Sequence, residues 1–197
     1  MEKKDIFYLL NTIASLSPEL EVYLRKILHQ RKFLKGEYIL KEGMICQHIY
    51  FIESGFIRIF NRLPEKETTS WFLTEGDIFI SVSSFFRQQP SADNIIALEE
   101  CICWGITFDQ LQEMGEKFPE FNAHRIAITE SYYVRSEDRQ YKMLALTQEQ
   151  RYTYFVEKEP ELFSRVPVHL LPSYLDIPRR TLNRIRSHYY NIKRKRI

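Results

Sequence analysis

The stretch VPVHLLPSYLDIPRRTLNRIRSHYYNIKRKRI, residues 166–197, decides how this chain is interpreted. Apolar residues recur at helical spacing up to Leu175, and a short turn with an apolar centre, Asp176-Ile177-Pro178, follows. Pro178 suits the first turn of a second helix. Pro172 fits only if the first helix begins near residues 168–170, and Asp176 is expected to adopt left-handed backbone. The pattern predicts a helix-turn-helix.

Basic residues are concentrated in the same stretch. Residues 143–197 carry 11 Lys and Arg against 5 Asp and Glu, although the whole chain of 197 residues has a net charge of only +2. Polyanions select such local excess charge. Arginines in the first turn of a second helix that enters the major groove reach base edges. The alternative from the residues alone is a helical hairpin with a solvated arginine face.

The rest of the chain divides into two further regimes. Residues 5–31 are predicted to form two short helices. Residues 33–106 alternate apolar and polar side chains, which is typical of strands. HIYFIESGFIRIF predicts two strands that meet at Ser54-Gly55, the second with one wet face that includes Arg58. NRLPEKE, residues 61–67, predicts a polar loop. Short strands at this spacing favour a barrel or sandwich.

A long helix follows Pro119, with an apolar stripe formed by Phe121, Ile128 and Tyr132. A small β domain gives such a stripe little to cover it, so we interpret the stripe as a dimerisation seam; the alternative is a helix that packs on the barrel. The predicted domains are residues 1–118, the dimerisation helix 119–142 and a DNA-binding domain 143–197.

Several function classes find no support in the sequence. No apolar run is long enough for a membrane span, and we expect a cytoplasmic protein. Cys46, Cys101 and Cys103 are too few for a disulfide framework, and we interpret Cys101 and Cys103 as core residues on one strand face. Glu99 and Glu100 are adjacent, so in a strand they point to opposite faces. No catalytic pair, glycine-rich phosphate loop or metal spacing occurs, and neither an enzyme nor a metal site is predicted.

Two segments together resemble a known family. IPRRTLNRIR is similar to the recognition helix of the Crp/Fnr transcription regulators, with matches at Arg179, Thr181, Arg184 and Ile185. GEYILKEGMICQHIYFIESGFIRIF resembles the opening of a cyclic-nucleotide-binding β-roll. The resemblance implies an α+β fold with an N-terminal β-roll (a jelly-roll-like double-stranded β-helix), a long dimerisation helix and a C-terminal winged-helix-type helix-turn-helix domain.

The resemblance also implies the function and the contact residues. It implies a homodimeric, sequence-specific regulator that binds double-stranded DNA, with RNA polymerase as a further candidate partner and no membrane partner. The predicted DNA contacts are Arg179, Arg180, Thr181, Asn183, Arg184, Arg186 and Ser173, with Lys193 and Arg194, and the basic residues up to Arg196, on phosphates.

The segment that holds the ligand in this family, called the cassette here and found at residues 76–92, departs from the family pattern. Family members that bind cyclic AMP supply a Glu for the ribose and an Arg for the phosphate, and Ser81 and Pro90 stand at those positions here. A buried phosphate without a cation is costly, and Arg87 substitutes only if the loop is reshaped. The predicted degenerate pocket comprises Gly76, Ser81, Val82, Arg87, Pro90, Ser91 and Ala92. We expect no cofactor and no cyclic AMP response; the effector is unknown.

One alternative function is retained at this point. The roll is then a ligand-sensing interaction module whose basic C-terminus binds a partner other than DNA. Binding to duplex DNA with a steep salt dependence separates the two functions, because counterion release accompanies binding to a polyanion.

Overall fold

The strands lie between His29 and Thr107, and every element after Thr107 in the described part of the chain is a helix. The computed structural model describes residues 5–64 and 66–194. The strands are β1 His29–Phe33, β2 Tyr38–Leu40, β3 His48–Ser54, β4 Ile57–Leu63, β5 Lys66–Leu73, β6 Ile78–Phe79, β7 Asn94–Ala97 and β8 Cys101–Thr107. The helices are α1 Ile6–Ile13, α2 Pro18–Ile27, α3 Val82–Arg87, α4 Phe108–Lys117, α5 Phe121–Ala145, α6 Gln148–Lys158, α7 Pro160–Arg165, α8 Leu171–Leu175 and α9 Arg179–Arg194.

The strands form two antiparallel sheets of four, in the orders β1-β8-β3-β6 and β2-β7-β4-β5. Consecutive strands β3 and β4 therefore belong to different sheets, and the chain crosses between them at Gly55. This glycine has a φ of 115°, and an added Cβ would lie 2.5 Å from the Sγ of Cys101. The predicted turn at Ser54-Gly55 and the predicted roll are both confirmed.

The interior of the roll is apolar on both sheets. Cys101 and Cys103 share one face of β8 and are fully buried, and Cys46 is also a buried free thiol. Burial, with a smaller contribution from Cys101, raises the pKa of Cys103 to about 12. The interpretation of Cys101 and Cys103 as core residues is confirmed.

Two antiparallel strands extend into the segment 61–67 from either side, and the prediction of a polar loop was wrong. β4 continues to Leu63 and β5 begins at Lys66, so these two residues face each other across the strands. Arg62 Nε lies 3.5 Å from Glu67 Oε2 within the hairpin. Opposite charges on facing strands favour pairing, which a count of polar residues does not reveal.

Both predicted N-terminal helices form, and they pack where the roll meets α5. The Ser17 hydroxyl accepts a hydrogen bond from Leu20 N–H and so caps α2, which buries Leu20 and Leu24. His124 of α5 is buried, and its Nε2 lies 3.0 Å from the Ala14 carbonyl oxygen. This contact fixes the α1–α2 connection against the first turn of α5.

The C-terminal helices share a second hydrophobic core with the outside of the roll. Phe56 and Phe72 of the roll pack with Phe155 and Tyr174, and the Phe72 and Tyr174 ring centroids are 4.9 Å apart. Within the described residues no strand follows Thr107, so the winged-helix form predicted for this domain lacks its wing. The reason is that α9 continues to Arg194 through a segment without glycine or proline.

Candidate functional site

The predicted helix-turn-helix is formed by α8, the turn after it and α9. Pro172 lies in the first turn of α8, where its missing N–H breaks no helical hydrogen bond. Asp176 follows α8 in left-handed conformation, with φ 51° and ψ 52°. Ile177 is buried as the apolar centre of the turn, and its N–H donates to the Pro172 carbonyl at 3.1 Å. The predictions for Pro172 and Asp176 are confirmed.

One face of α9 is buried and the opposite face is exposed and basic. Leu182 and Ile185 face the second core. The exposed side chains along the first turns are Arg179, Arg180, Asn183, Arg184 and Ser187. Thr181 is half-buried, and the sequence of α9 contains no Asp or Glu. The helix therefore presents one sign of charge from its amino-terminal end.

Two of the predicted DNA contacts on α9 are placed differently. Arg186 lies at the inner edge of the helix, and its Nε is buried, so it does not belong to the exposed row. Lys193 is exposed, but its Nζ lies 3.9 Å from Glu157 Oε1. The side chain of Arg194 lies outside the part of the chain that the structure describes, as do Lys195 and Arg196.

Ser173 faces the roll instead of the solvent, contrary to its prediction as a DNA contact. Its hydroxyl lies 2.6 Å from the Thr69 hydroxyl and donates to the Leu170 carbonyl oxygen at 2.8 Å. Arg58 Nη2 donates to Ser173 Oγ at 3.2 Å. Ser173 faces the roll because α8 packs directly against β5. The local sequence does not encode this tertiary contact.

Arg58 is the buried centre of this contact, and the prediction of a wet face on β4 was wrong. Its side chain is 6% exposed, donates to Thr69 Oγ1 and pairs with Glu67 at 2.6 Å. Burial lowers the pKa of Arg58, and the hydrogen bond and charge of Glu67 act against that shift. The C-terminal helices cover this face: Phe56 packs in their core, and the Phe60 ring centre lies 4.2 Å from the Arg58 guanidinium. A lone arginine between two aromatic residues was the available signal.

Two more contacts join α8 and its turn to the rest of the molecule. Arg139 of α5 donates from Nη2 to the Thr69 carbonyl at 2.8 Å and to the Tyr174 carbonyl at 2.9 Å. Lys66 Nζ lies 3.3 Å from Asp176 Oδ1. Residues from β5, α5 and α8 therefore meet at one junction, which directly precedes α9 in the chain.

The predicted ligand cassette forms the short helix α3 and the loop after it. Ser81 is buried at the start of α3 and donates to Asp93 Oδ2 at 2.6 Å, while it accepts from Ser91 Oγ at 2.9 Å. Asn61 Nδ2 donates to the other Asp93 oxygen at 2.9 Å. Ser81, Ser91 and Asp93 thus form a hydrogen-bonded cradle that contains a carboxylate of the protein itself. The sequence reasoning missed Asp93.

The remaining predicted pocket residues do not converge on this cradle. Gly76 forms a left-handed turn with a φ of 91° and donates its N–H to the Ile52 carbonyl oxygen. Arg87, Pro90 and Ala92 are exposed, and Val82 is half-buried. No cation from the cassette reaches the Ser81–Ser91–Asp93 cluster in the described residues.

A cavity of about 520 Å³ lies beside this cluster, between β5, α3 and α5, and extends to α8. Asp93, Val82 and Ser83 line one part of it, and Ser173 and Tyr174 line another. Trp71 and Tyr132 form an aromatic pair in the wall, with ring centroids 5.8 Å apart. The cavity therefore touches the roll, the long helix and the helix-turn-helix.

The apolar stripe predicted as a dimer seam faces the roll. Phe121 is buried, Ile128 packs against the roll core and Tyr132 contacts Trp71. The opposite face of α5 carries a second stripe of large apolar side chains that stay exposed, namely Ile126, Tyr133, Val134, Tyr141 and Leu144. Phe121 and Ile128 are thus engaged by contacts within one chain, whereas Tyr132 remains 41% exposed beside Trp71. The second stripe is exposed throughout.

Metal ligands do not cluster in this molecule: no three His, Cys, Asp or Glu side chains of the described residues come together as a metal site would require. Among the same residues, none of the helices combines the length and apolar character needed to cross a lipid bilayer.

Sequence comparison finds one domain family and one kind of relative. The sequence profile of the cyclic nucleotide-binding domain matches residues 30–118. The potassium/sodium hyperpolarization-activated cyclic nucleotide-gated channel 4 of Homo sapiens is 26% identical over 106 residues, which are 54% of this chain and 8% of the channel. The Oryctolagus cuniculus channel gives the same identity over 9% of its length. The chain thus spans only a small part of these channels.

Structural comparison extends over nearly the whole chain. A putative transcriptional regulator of the Crp/Fnr family from Eubacterium rectale has a TM-score of 0.73 at 15% identity, covering 95% of this chain and 88% of that chain. The c-di-GMP-responsive global regulator CLP of Xanthomonas campestris has a TM-score of 0.71 at 16% identity, covering 90% and 93%. A CooA variant from Carboxydothermus hydrogenoformans also scores 0.71, at 15% identity, covering 95% and 85%. Residues 30–118 therefore match the cyclic nucleotide-binding domain family, and nearly the whole chain has the fold of these Crp/Fnr-type regulators.

Proposed function

We propose that this protein is a dimeric, sequence-specific DNA-binding transcription regulator that does not respond to cyclic AMP. The observation that carries the proposal is the exposed row of Arg179, Arg180 and Arg184 at the amino-terminal end of α9. Within the described residues these three arginines form no ion pair with an acidic side chain of the protein. Their charges are therefore available to an external anion.

The dimensions of α9 fit the major groove of B-DNA. The groove is about 12 Å wide and admits one α-helix, and an arginine donates two hydrogen bonds to the O6 and N7 edge of guanine. Two copies of α9 in a two-fold dimer would contact successive grooves about 34 Å apart, so the site is a near-palindrome. We assign base contacts to Arg179, Arg180 and Arg184, with Asn183 beside them.

The second stripe of α5 is the proposed dimer seam. Tyr133 is 63% exposed and Leu144 is 80% exposed, which is unusual for large apolar side chains on one helix face. A two-fold axis beside α5 would cover this stripe with its copy and would set the spacing of the two α9 helices. This replaces the seam predicted at Phe121, Ile128 and Tyr132.

The cassette supports the absence of a cyclic AMP response. The Asp93 carboxylate lies in the cradle with Ser81 and Ser91, and a cyclic phosphate would meet a like charge there instead of an arginine. Placing two anions side by side in a partly buried site is unfavourable. We further propose a cytoplasmic location and RNA polymerase as a partner, because a DNA-bound regulator acts where the polymerase works.

Selection of duplexes from a random library, followed by fluorescence anisotropy, tests the proposal. Each bidentate arginine contact is worth about 1–3 kcal/mol, so Arg179→Ala with Arg184→Ala is expected to weaken binding to the selected site by about 30-fold or more. Weak, salt-sensitive binding to other sequences should remain. Arg31→Ala with Lys35→Ala removes two exposed charges from the roll and is the matched control. Unchanged discrimination between sites in the α9 variant would refute the assignment.

The salt dependence of the same binding curves separates DNA from another partner. Contacts to several phosphates release counterions, so the logarithm of the binding constant falls steeply and linearly with the logarithm of the salt concentration. Failure to bind any duplex at low salt would favour the alternative, in which the basic C-terminal region contacts a protein or another partner.

A further inference from the structure

The cavity between β5, α3 and α5 is lined by charged side chains of both signs. Four charged side chains line it: Lys66, Asp93, Arg139 and Asp176. Lys66 and Asp176 form an ion pair with each other at 3.3 Å. Arg139 donates to two carbonyl oxygens and lies 4.2 Å from the centre of the Tyr174 ring. Asp93 is the remaining carboxylate, and in the described residues neither it nor the Arg139 guanidinium forms an ion pair.

Asp93 is stabilised only by neutral groups in the described residues. Its two oxygens accept hydrogen bonds from the Ser81 hydroxyl and from the Asn61 amide, and no cation lies within ion-pair distance. A carboxylate has about four lone-pair sites, so both oxygens retain acceptor capacity. The half-buried carboxylate therefore borders the cavity as a negative charge that lacks a counter-charge.

The aromatic wall beside Asp93 favours the same sign of ligand. Trp71 and Tyr132 are adjacent in the cavity lining, and the negative face of an aromatic ring attracts cations. The Trp71 ring already has one such contact within the protein, because the Arg135 guanidinium lies 5.4 Å from its centre. Burial raises the pKa of the Tyr132 hydroxyl, a hydrogen bond involving Trp71 lowers it, and of the nearby charges Asp93 raises it and Arg135 lowers it. The carboxylate and the rings thus border the same space.

We propose that this cavity binds a small organic cation, an aromatic or aliphatic amine in its protonated form, with the ammonium group at Asp93 and the carbon skeleton against Trp71 and Tyr132. The site differs from a cyclic nucleotide site in the sign of the charge it recognises, because the protein itself supplies the anion in the cradle. The proposal does not depend on DNA binding, and its test contains no DNA.

A pair of probes that differ chiefly in charge tests the proposal. Tyramine and 4-hydroxyphenylacetate share a phenol ring but carry an ammonium and a carboxylate group, respectively. The chain has 2 tryptophans, and Trp104 is not among the cavity residues. In the Trp104→Phe background the single indole N–H resonance in a ¹H–¹⁵N spectrum therefore reports on Trp71.

Tyramine should shift the Trp71 resonance saturably with a dissociation constant of about 1 mM or tighter, which a ligand of this size can reach. The carboxylate probe and cyclic AMP should leave the resonance in place. Asp93→Asn keeps the side-chain shape, and the Ser81 hydroxyl can accept from the new amide, so the fold should persist. This variant should weaken tyramine binding at least about tenfold, because a charge-assisted contact is lost.

Asp109→Asn removes an exposed carboxylate from the first turn of α4, outside the cavity, and is the matched control. It should bind tyramine as the parent does. Three results overturn the proposal: no saturable shift with tyramine, binding of the carboxylate probe in preference to tyramine, or undiminished tyramine binding by a folded Asp93→Asn protein.

Discussion

Arg58 and Ser173 are joined by a hydrogen bond of 3.2 Å, from the guanidinium Nη2 to the hydroxyl Oγ, across the boundary between the roll and the C-terminal helices. Thr69 completes the contact, with its hydroxyl 2.6 Å from that of Ser173. The helix that precedes α9 is therefore fastened to the β4–β5 hairpin. We therefore expect a shift of this hairpin relative to α5 to move α8, and with it the exposed arginines of α9.

Ser173→Ala should loosen this junction. The substitution removes a hydrogen-bond partner from both Arg58 and Thr69 in a mostly buried position, so we expect the free energy of unfolding to fall by about 1–2 kcal/mol. If the protein binds DNA as proposed, affinity for the selected site should fall as well. Urea denaturation and anisotropy measure the two effects. Ser187→Ala is the control, because that hydroxyl is exposed and donates only to the Asn183 carbonyl of its own helix; equal stability of the two variants would contradict the prediction.

The helix-turn-helix was predictable from the sequence because its determinants are local. Proline at 172 is compatible with a helix only near its start, and aspartate at 176 tolerates the left-handed backbone that a sharp turn requires. Ile177, the apolar residue of the turn before α9, is expected to be buried. Each inference uses the chemistry of one or two neighbouring residues, and the structure confirms all three.

The role of α5 was not predictable in the same way. Helical spacing yields two apolar stripes on this helix, one through Phe121 and Ile128 and one through Ile126 and Tyr133. The stripe that packs on the roll is decided by tertiary contacts such as His124 with Ala14. Asp93 was missed for a related reason, because a single carboxylate in a loop belongs to no local sequence pattern. Its place in the cradle depends on hydrogen bonds from Ser81 and Asn61, which are distant in sequence.

Charge placed in the second stripe of α5 should separate the proposed dimer. We expect the parent protein to sediment as a dimer and Ile126→Asp with Tyr133→Asp to sediment as a monomer, because each carboxylate would have to be desolvated at the seam. The dimer dissociation constant should rise by about 100-fold or more. Val22→Asp, at an exposed apolar position of α2, is the control. A double variant that sediments as the parent does would place the seam elsewhere.

Gly55 should tolerate no side chain, whereas Gly36 should tolerate one at modest cost. Both have positive φ, 115° and 85°, but an added Cβ at Gly55 would lie 2.7 Å from the Glu100 carbonyl oxygen, while nothing lies within 4 Å at Gly36. Gly36→Ala should cost about 1 kcal/mol for left-handed backbone. Gly55→Ala adds a backbone clash, and we expect a loss of more than about 3 kcal/mol in chemical denaturation. Similar losses for both variants would show that the crossover between the sheets can shift.

The contact between the roll and α7 should weaken in acid because it depends on an ionised Glu75. Arg165 donates to Glu75 Oε2 at 2.7 Å, and the Gly55 N–H donates to Oε1 at 2.9 Å. Burial alone would raise the pKa of Glu75, but these hydrogen bonds outweigh burial and hold the pKa below its ordinary value of 4.5. The unfolded chain therefore takes up this proton at a higher pH than the folded chain, so the stabilisation is present above pH 4.5 and is lost as the pH falls through the folded pKa.

Urea denaturation should show Glu75→Gln to be less stable than the parent at pH 7, with a difference that shrinks as the pH falls. Glu116→Gln, at an exposed position of α4, should show no such trend, and a difference for Glu75→Gln that stays constant down to acid pH would mean that the charge of Glu75 contributes nothing.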